Sequence, residues 1–467
     1  MSLQLNRAVK MNAAARFLSA PRFTLKKLHW FERPVTYRKP FKFGAATIME
    51  ASQLFLKAEI ETEKGHAIGA TAELMVPKWF NKDPKLTLDD TVEQLRHVLT
   101  IARDRYLSHD RPDTAFGLHA ACHADVLALC AQQDIPGLAA AFGPAQFDKA
   151  ILDALLRAYG LDVFSGLRGN IAALDARLTP DLADEAITAY LQSRVPPQRV
   201  MVRHTFGMAD PIESLGETYR KTGSRYFKLK LSGDPIADAA RLALIVSELD
   251  RHDIDYRATL DANEQYADLD ALTKLTGMLM NERQFAQFPQ RLLYIEQPLP
   301  RDLTFTTPLG PLGEGFAFII DEGESDYDTF PKALALGYRG ISSKTCKGIY
   351  KSLLNGARAA TWTQSGTARA FIAAEDLTCQ AGLSVQQDTA LLAFHGIAHA
   401  ERNGHHYVDG FASAPDAEIA AFCTAHPDVY AGPSGLKVRN GAFEIGSLSQ
   451  PGFASGVDPA VILPDAA

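Results

Sequence analysis

Residues 226–231 read Tyr-Phe-Lys-Leu-Lys-Leu, and residues 256–263 read Tyr-Arg-Ala-Thr-Leu-Asp-Ala-Asn. Each is a short apolar or β-branched run with charged or polar side chains at its end, which is typical of a buried strand. Between the two runs, apolar residues recur at the spacing of one helical face: Ala239, Leu242, Ile245 and Leu249. A strand, a helix and a second strand of this size predict a parallel β-sheet.

The same unit repeats through the second half of the chain. Six further strands are predicted at residues 200–205, 293–295, 317–320, 340–343, 369–373 and 397–400. Eight strands alternating with helices indicate an α/β protein with a closed barrel, here spanning residues 195–435. The whole chain of 467 residues is too long for one small core and suits a barrel plus an accessory domain.

The first half has a different pattern. Residues 53–73 alternate between apolar and polar side chains, with a turn at residues 63–65, and two amphipathic helical stretches follow near residues 92–102 and 147–158. We therefore expect an α+β domain over residues 32–165. The first 31 residues contain no Asp or Glu, and we interpret 1–31 as a basic N-terminal extension rather than a transit peptide. Residues 436–467 are predicted to return to the first domain.

Composition excludes several classes of protein. The 48 basic and 55 acidic residues give a net charge of −7, which argues against nucleic acid or an anionic membrane as the main partner. No apolar run approaches the roughly 18–20 residues of a membrane span. The five cysteines are widely spaced without a C-x-x-C motif, so we expect neither a disulfide framework nor a structural zinc site. We expect a cytoplasmic location instead.

Charged residues close nearly every predicted barrel strand, at the rim where catalysis occurs in such barrels. In chain order they are Lys228, Lys230, Asp261, Glu296, Asp321, Lys344, Glu375, Asp376 and Glu401. Successive strands lie about 5 Å apart, so the three acids of the third to fifth strands are predicted to converge on one divalent cation, and oxygen ligands suit Mg²⁺. Lys228 and Lys230 point the same way, and their mutual repulsion is expected to lower the pKa of one of them.

Together, and in this order, the motifs resemble those of the enolase superfamily, in its mandelate racemase and muconate lactonizing enzyme branch. The pieces that carry the resemblance are Lys228-Leu229-Lys230, Asp261-Ala262-Asn263, Glu296-Gln297-Pro298, Asp321-Glu322 and Lys344. The ending at residues 451–456 is also similar, whereas residues 281–291 form an apparent insertion. The resemblance implies a modified TIM (β/α) barrel with an N-terminal α+β capping domain.

The resemblance also implies a mechanism and a set of roles. Mg²⁺ held by Asp261, Glu296 and Asp321 would bind the carboxylate of a small carboxylic acid and stabilise an enediolate. Lys230 would remove the α-proton, and Lys344 on the opposite face would return a proton or stabilise the anion. The remaining implied roles are tuning of Lys230 by Lys228, a hydrogen bond near the metal from Asn263, and pairing of Glu322 with Lys344. A homo-oligomer is expected.

Several alternatives remain open at this point. The expected reaction is racemisation, epimerisation, cycloisomerisation or β-elimination. The alternative functions are an acid-sugar dehydratase, another metal-dependent barrel lyase or aldolase, and a metal-binding relative without catalysis. Glu375, Asp376 and Glu401 either contact substrate or form salt bridges at the rim. The resemblance implies that a dipeptide substrate would be bound by an Asp-x-Asp pair after the eighth strand, and the lack of such a pair near Glu401 disfavours this substrate. We interpret His204 as a packed side chain and residues 402–406 as a surface turn.

Overall fold

Three antiparallel strands form the first sheet of the protein, whose computed structural model describes residues 20–43 and 46–462. They are β1 (Phe23–Phe43), β2 (Ala46–Thr62) and β3 (Gly65–Met75), paired in that order. The predicted turn between β2 and β3 is present, and Gly65 supplies its positive φ of 100°. The predicted boundary of the basic extension is wrong, because residues 23–31 belong to β1; residues 1–19 lie outside the described part.

Helices follow this sheet along the chain and complete the capping domain. They are α1 (Leu88–Leu107), α2 (Ala115–Ala131), α3 (Gly137–Ala140), α4 (Phe142–Ala158), α5 (Val163–Arg168) and α6 (Asp184–Gln192). α1 begins at a reciprocal capping box formed by Thr87 and Asp90. α4 packs across β3, and Gly69 allows the close approach: a Cβ at this position would lie 2.1 Å from Ala150 O.

The second sheet contains eight parallel strands, as the sequence predicts. They are β4 (Arg199–Phe206), β5 (Tyr226–Lys230), β6 (Arg257–Asp261), β7 (Leu292–Glu296), β8 (Phe318–Ile320), β9 (Gly340–Ser343), β10 (Phe371–Ala374) and β11 (His399–Glu401). Their order is β10-β9-β8-β7-β6-β5-β4-β11, so the sheet curls until β10 and β11 approach each other. The fold is therefore an α/β barrel preceded by an α+β capping domain.

Helices lie between and after these strands. They are α7 (Ser214–Thr222), α8 (Pro235–Arg251), α9 (Leu269–Asn281), α10 (Phe288–Arg291), α11 (Arg301–Thr304), α12 (Leu312–Gly315), α13 (Thr329–Ala335), α14 (Ile349–Gln364), α15 (Leu383–Phe394), α16 (Gly404–Tyr407), α17 (Asp416–Ala425) and α18 (Pro459–Ile462). Single 3₁₀ turns occur at Ala176–Leu178, Arg283–Phe285, Thr345–Lys347, Gly432–Ser434 and Gly446–Leu448. No helix in the described ranges is long and apolar enough to cross a membrane.

The C-terminal segment joins the two domains. It first adds a short antiparallel strand, β12 (Ala442–Glu444), to β4 of the barrel. It then reaches the capping domain, where the Phe453 N–H donates to Asp153 Oδ1 on α4 at 2.6 Å. The predicted return to the first domain thus begins only after a barrel strand. A continuous apolar core runs from the capping sheet to α14 and α15, so the two domains pack as one unit.

Candidate active site

Lys228, near the end of β5, lies at the centre of a buried cluster of carboxylates. Its Nζ is 2.7–3.0 Å from oxygens at four other strand ends: Asp261, Glu296, Glu375 and Glu401. Burial works to lower the pKa of Lys228, but these four charges outweigh it and hold the pKa well above its ordinary value. Lys228 therefore does not show the lowering that is predicted for one of the two lysines, and its side chain is a fixed ammonium group.

Lys230, two residues further on, faces the cavity at the mouth of the barrel. Its Nζ lies 2.5 Å from Asp261 Oδ2 and donates to Asn263 Oδ1 at 2.8 Å. Asp261 Oδ1 accepts the Asn263 backbone N–H at 2.9 Å. Asn263 has a φ of 44°, a left-handed turn directly after β6 that returns its side chain over the strand end. The structure thus brings Lys230, Asp261 and Asn263 together, as the sequence predicted.

Lys344 follows β9, four strands from β5 and so on the opposite side of an eight-stranded barrel. Its Nζ lies 2.6 Å from Asp321 Oδ2 and 4.4 Å from the centroid of the Trp79 ring. Asp321 Oδ1 also meets Lys347 Nζ at 3.3 Å and the Ser342 hydroxyl. Burial works against ionisation of Asp321, but the lysines outweigh it and hold the pKa of Asp321 below its ordinary value. Asp321 is therefore an anion, and it in turn raises the pKa of Lys344 despite burial.

Glu322 pairs with the capping domain rather than with Lys344, so that predicted pair is wrong. Its Oε1 accepts hydrogen bonds from Lys82 Nζ at 3.1 Å and from Asn263 Nδ2 at 2.9 Å. Lys82 lies between β3 and α1, and it also contacts the Asn263 carbonyl at 3.0 Å. Lys344 is unavailable to Glu322 because it binds the neighbouring Asp321. Lys82 thus ties the capping domain to the ends of β6 and β8 in the barrel.

Glu375 is buried below the cavity and does not line it. Its Oε1 lies 2.7 Å from Arg203 Nη2 and accepts the Tyr294 hydroxyl at 2.5 Å, while Oε2 meets Lys228 at 2.7 Å. Burial works to raise the pKa of Glu375, but Arg203 and Lys228 outweigh it and lower the pKa. Of the two interpretations left open by the sequence, this geometry favours a buried salt bridge over substrate contact.

Asp376 and Glu401 do line the cavity, and they close the seam between β10 and β11. In the described residues these two strands share no backbone ladder. Instead, the Asp376 N–H donates to Glu401 Oε2 at 3.0 Å, and the Asn403 N–H donates to Asp376 Oδ2 at 2.8 Å. Glu401 also accepts the Thr205 hydroxyl at 2.5 Å. These acids therefore hold the barrel together at the site.

A cavity of about 20 Å³ lies over the strand ends. Lys230 and Lys344 line its floor, and Phe41, Val76 and Trp79 of the capping domain cover it. This volume holds about one water molecule, so a substrate enters only if the covering segments move. A larger groove of about 1110 Å³ lies on the opposite face of the barrel, where β9 and β10 begin, and contains none of these residues.

The three acids predicted to hold Mg²⁺ have the chemistry for it. Glu296 Oε2 is buried and accepts no well-oriented hydrogen bond within the described residues, although Lys228 Nζ lies 2.9 Å away. Burial, followed by the charges of Asp261, Glu375 and Asp321, raises the pKa of Glu296 well above its ordinary value. A bound cation would relieve this repulsion, and carboxylate oxygens are the ligands that Mg²⁺ prefers. The donor set therefore fits the metal.

The predicted acids are nonetheless not the most tightly grouped ones. Among the described residues, the three whose ligand atoms lie within 4.8 Å of one another are Asp376, Cys379 and Asp388. Arg402 contacts both aspartates of that group, at 3.6 and 2.9 Å, and offsets part of their charge. The three acids predicted to bind Mg²⁺ are instead each engaged by a lysine, and their role as ligands stays a prediction.

His204, His405 and His406 form a partly buried cluster beside the site. His204 Nδ1 lies 2.9 Å from His406 Nε2, and the rings of His405 and His406 are 4.0 Å apart at their centroids. The predicted surface turn at residues 402–406 is wrong: Arg402 is buried and α16 follows it. His204 is packed, in agreement with the sequence.

Sequence reasoning missed several residues of the site. Arg203 carried a signal, because it stands inside a strand between Val202 and His204, where an unpaired charge is costly. Lys82 and Trp79 carried none, because both lie in an irregular loop and meet their partners only through the tertiary fold.

The fold of the described residues is similar to that of known structures. A capping domain over a parallel barrel is the fold of the enolase superfamily, in its mandelate racemase/muconate lactonizing enzyme branch, and many solved structures of that kind match this chain. No protein-family model and no curated protein matches the sequence.

Three solved structures illustrate the similarity. A dipeptide epimerase from Enterococcus faecalis, complexed with Mg and L-Leu-L-Tyr, matches with a TM-score of 0.59 and 16% identity, over 92% of this chain and 99% of its own. A muconate lactonizing enzyme from Pseudomonas fluorescens, complexed with muconolactone, gives 0.60 and 15%, over 94% and 98%. An N-succinyl Arg/Lys racemase from Bacillus cereus gives 0.60 and 15%, over 94% and 97%. At these identities the similarity establishes a shared fold.

Proposed function

We propose that this protein is a Mg²⁺-dependent enzyme that removes the proton α to the carboxylate of a small carboxylic acid. One observation carries the proposal: Lys230 and Lys344, from opposite sides of the barrel, face the same small cavity. Each amine lies beside a carboxylate, Asp261 and Asp321 respectively. Two amines on opposite faces of one site can remove a proton from one face of a carbon and return it to the other.

The lysines and their neighbours have distinct proposed roles. Lys230 takes the α-proton, and Asn263 orients its Nζ through the 2.8 Å hydrogen bond. Lys344 returns a proton or stabilises the anion, with the Trp79 ring fixing its position. Lys228 does not act as a base, because four carboxylates keep it charged. Its positive charge instead holds the strand ends together.

Asp261, Glu296 and Asp321 would hold the Mg²⁺. When bound, Mg²⁺ supplies the positive charge that stabilises the negative charge developing on the substrate carboxylate as its α-proton leaves. The pairing acids also matter for the bases: a carboxylate engaged by a metal no longer raises the pKa of its lysine partner. Lys344, whose pKa Asp321 raises, can then lose its proton more readily.

The first proton transfer is shared by racemisation, epimerisation, cycloisomerisation and β-elimination, and we propose one of these as the reaction. The absence of an Asp-x-Asp pair after Glu401 disfavours a dipeptide substrate. A Schiff base on Lys228 is also disfavoured, because such an adduct needs a neutral lysine and four carboxylates hold the pKa of Lys228 well above its ordinary value. A homo-oligomer in the cytoplasm remains our prediction from the sequence.

A screen of carboxylic acids in D₂O with Mg²⁺, read by mass spectrometry, tests the proposal. The wild-type protein should incorporate deuterium at the α-carbon of its substrate even without net conversion. Lys230→Ala and Lys344→Ala should abolish turnover and retain Mg²⁺ binding by calorimetry. Lys332→Ala, which removes an exposed amine outside the site, is the control and should behave as wild type. Full activity in both site variants would show the assignment of the bases to be wrong.

A further inference from the structure

Gln297 follows the predicted metal ligand Glu296 and is completely buried. Its φ of 35° lies in the left-handed region, which is unfavourable for a residue other than glycine. The backbone is held there on both sides: its N–H donates to Ile319 O at 2.9 Å, and its carbonyl accepts the Glu264 N–H at 2.9 Å. Gln297 therefore connects the ends of β6, β7 and β8.

The side chain of Gln297 is equally fixed. Its Oε1 accepts two backbone N–H groups, from Asp321 at 2.8 Å and from Gly323 at 3.0 Å. Its Nε2 donates to Leu299 O at 3.0 Å and to Thr304 Oγ1 at 2.9 Å. The amide thus uses both of its donors and both of its acceptor positions, which fixes its orientation.

The hydrogen bonds from Gln297 to the end of β8 begin where the backbone hydrogen bonds of the β-sheet end. The ladder between β8 and β9 ends at Ile320, and the ladder between β7 and β8 ends at Ile319. The Asp321 N–H lies beyond both, and Gln297 provides its acceptor. One side chain therefore replaces the missing sheet hydrogen bonds and sets the direction in which the Asp321 carboxylate leaves the strand.

We propose that Gln297 is a positioning residue, which fixes Asp321 and thereby the geometry of the metal site. This inference rests on the proposed function, because it assigns to Gln297 a part in Mg²⁺ binding. Partners that orient metal ligands typically contribute 10–100-fold to metal affinity. Gln297 contacts neither the cavity nor the lysines, so its effect acts through Asp321 and the adjoining Gly323.

The test compares Gln297→Met with wild type. Methionine keeps the length of the side chain but cannot hold the two N–H groups. Calorimetry should give a Mg²⁺ dissociation constant at least about tenfold higher. Hydrogen–deuterium exchange should become faster in residues 319–324, in the metal-free protein as well. Gln146→Met is the matched control, because Gln146 is also fully buried but its amide has no hydrogen-bond partner within the described residues; it should change neither quantity.

The outcomes separate this inference from the proposed function. If folded Gln297→Met keeps wild-type Mg²⁺ affinity and wild-type exchange in residues 319–324, the inference is overturned. If the wild type binds no Mg²⁺, the proposed function fails, and so does the part of Gln297 in metal binding; faster exchange in Gln297→Met would then support only its hold on Asp321. If Gln297→Met does not fold, Thr304→Val decides by the same two measurements, because it removes one of the two acceptors of Nε2 and should produce smaller changes in the same direction.

Discussion

Arg203 is a buried cation, and its removal should lower the stability of the protein. It is completely buried inside the barrel, with Glu375 as its ion-pair partner at 2.7 Å. Breaking such a pair leaves a buried carboxylate short of one cation, which typically costs about 3–5 kcal/mol. We therefore expect Arg203→Met to lower the free energy of unfolding by about that amount in urea denaturation.

A double variant identifies the cause of that loss. Glu375→Gln removes the charge that Arg203 balances. The double variant Arg203→Met/Glu375→Gln should therefore lose less free energy of unfolding than the two single variants lose together. Arg257→Met, on the exposed start of β6, is the control and should change stability by about 0.5 kcal/mol or less. Additive single losses would show that Arg203 acts through packing rather than through charge.

For single residues of the site, the sequence predicts their positions at the strand ends better than it predicts which side chains they contact. Lys230, Asp261 and Lys344 were found because each ends an apolar strand, and the parallel fold brings strand ends to one rim. The partner of Glu322 was not found, because Lys82 stands 240 residues away in a loop without periodicity. The raised pKa of Lys228 cannot be predicted for a related reason: proximity to Lys230 is visible in the sequence, whereas four converging acids are not.

At the scale of the elements, β3 and α4 are in such close contact that adding one methyl group between them should push them apart. A Cβ at Gly69 would lie 2.1 Å from Ala150 O and 2.3 Å from Ala154 N, both backbone atoms of α4. Gly69→Ala must therefore displace the helix, at a cost of about 1–3 kcal/mol. Gly277→Ala is the opposite case, because nothing lies within 4 Å of the added methyl in α9 and alanine favours a helix.

Thermal unfolding of the two glycine variants should therefore give shifts of opposite sign. Gly69→Ala should lower the melting temperature, and Gly277→Ala should leave it unchanged or raise it. A Gly69→Ala protein as stable as wild type would mean that α4 and β3 are less closely packed than described.

The end of the β1–β2 hairpin is anchored beside the barrel mouth by contacts of several kinds. Lys39 Nζ lies 3.0 Å from Asp210 Oδ1 and 4.5 Å from the centroid of the Tyr407 ring. Phe41 packs on the same ring at 4.5 Å, and Arg38 donates to the His405 carbonyl. The hairpin thus places cations next to the histidine cluster, while Phe41 covers the cavity over the strand ends.

This cluster makes stability depend on pH. Burial, and then nearby cations such as Lys39, lowers the pKa of His204 to about 4; burial likewise lowers the pKa of His405 to about 3. Below the ordinary pKa of 6.5 the unfolded chain binds protons that the folded chain does not. The free energy of unfolding should therefore fall as the pH decreases from about 6.5 to about 4.

Melting temperatures measured across that pH range check this prediction. His406→Gln removes one buried imidazole of the cluster, so its melting temperature should decrease less steeply with falling pH than that of wild type. His97→Gln, an exposed substitution on α1, should retain the wild-type dependence. Identical dependence in all three proteins would remove the cluster as the cause.

The same hairpin marks the limit of prediction from pattern. β2 and β3 were predicted because their apolar and polar residues alternate, but β1 was partly assigned to a basic extension. The pairing of β1 with β2 contains register shifts between Leu25 and Lys27 and between Thr36 and Phe41. Each shift reverses the face to which later side chains point, so the two-residue period does not persist along the strand.

At the scale of the whole molecule, buried polar contacts join the capping domain to the barrel beside the site. Lys149 of α4 lies 2.9 Å from Glu73 of β3, and the same carboxylate accepts the Thr345 hydroxyl, one residue after Lys344, at 3.3 Å. Gln387 of α15 donates to Ala70 O at 2.8 Å. The domain order was predictable from the change of pattern along the chain, but this interface was not, because its residues belong to separate elements.

Metal binding should be visible as stability of the entire chain, since a ligand that binds only the folded state stabilises it. Free Mg²⁺ at 100 times its dissociation constant should add about 2.7 kcal/mol, or about 3 °C in melting temperature for a chain of this length. Chelation should reverse the shift. Glu296→Gln removes one predicted ligand charge and should reduce the shift, whereas Glu314→Gln, an exposed acid on α12, should not. An equal shift in both variants would mean that Mg²⁺ binds somewhere other than these three strand ends, and no shift in wild type would argue against the metal altogether.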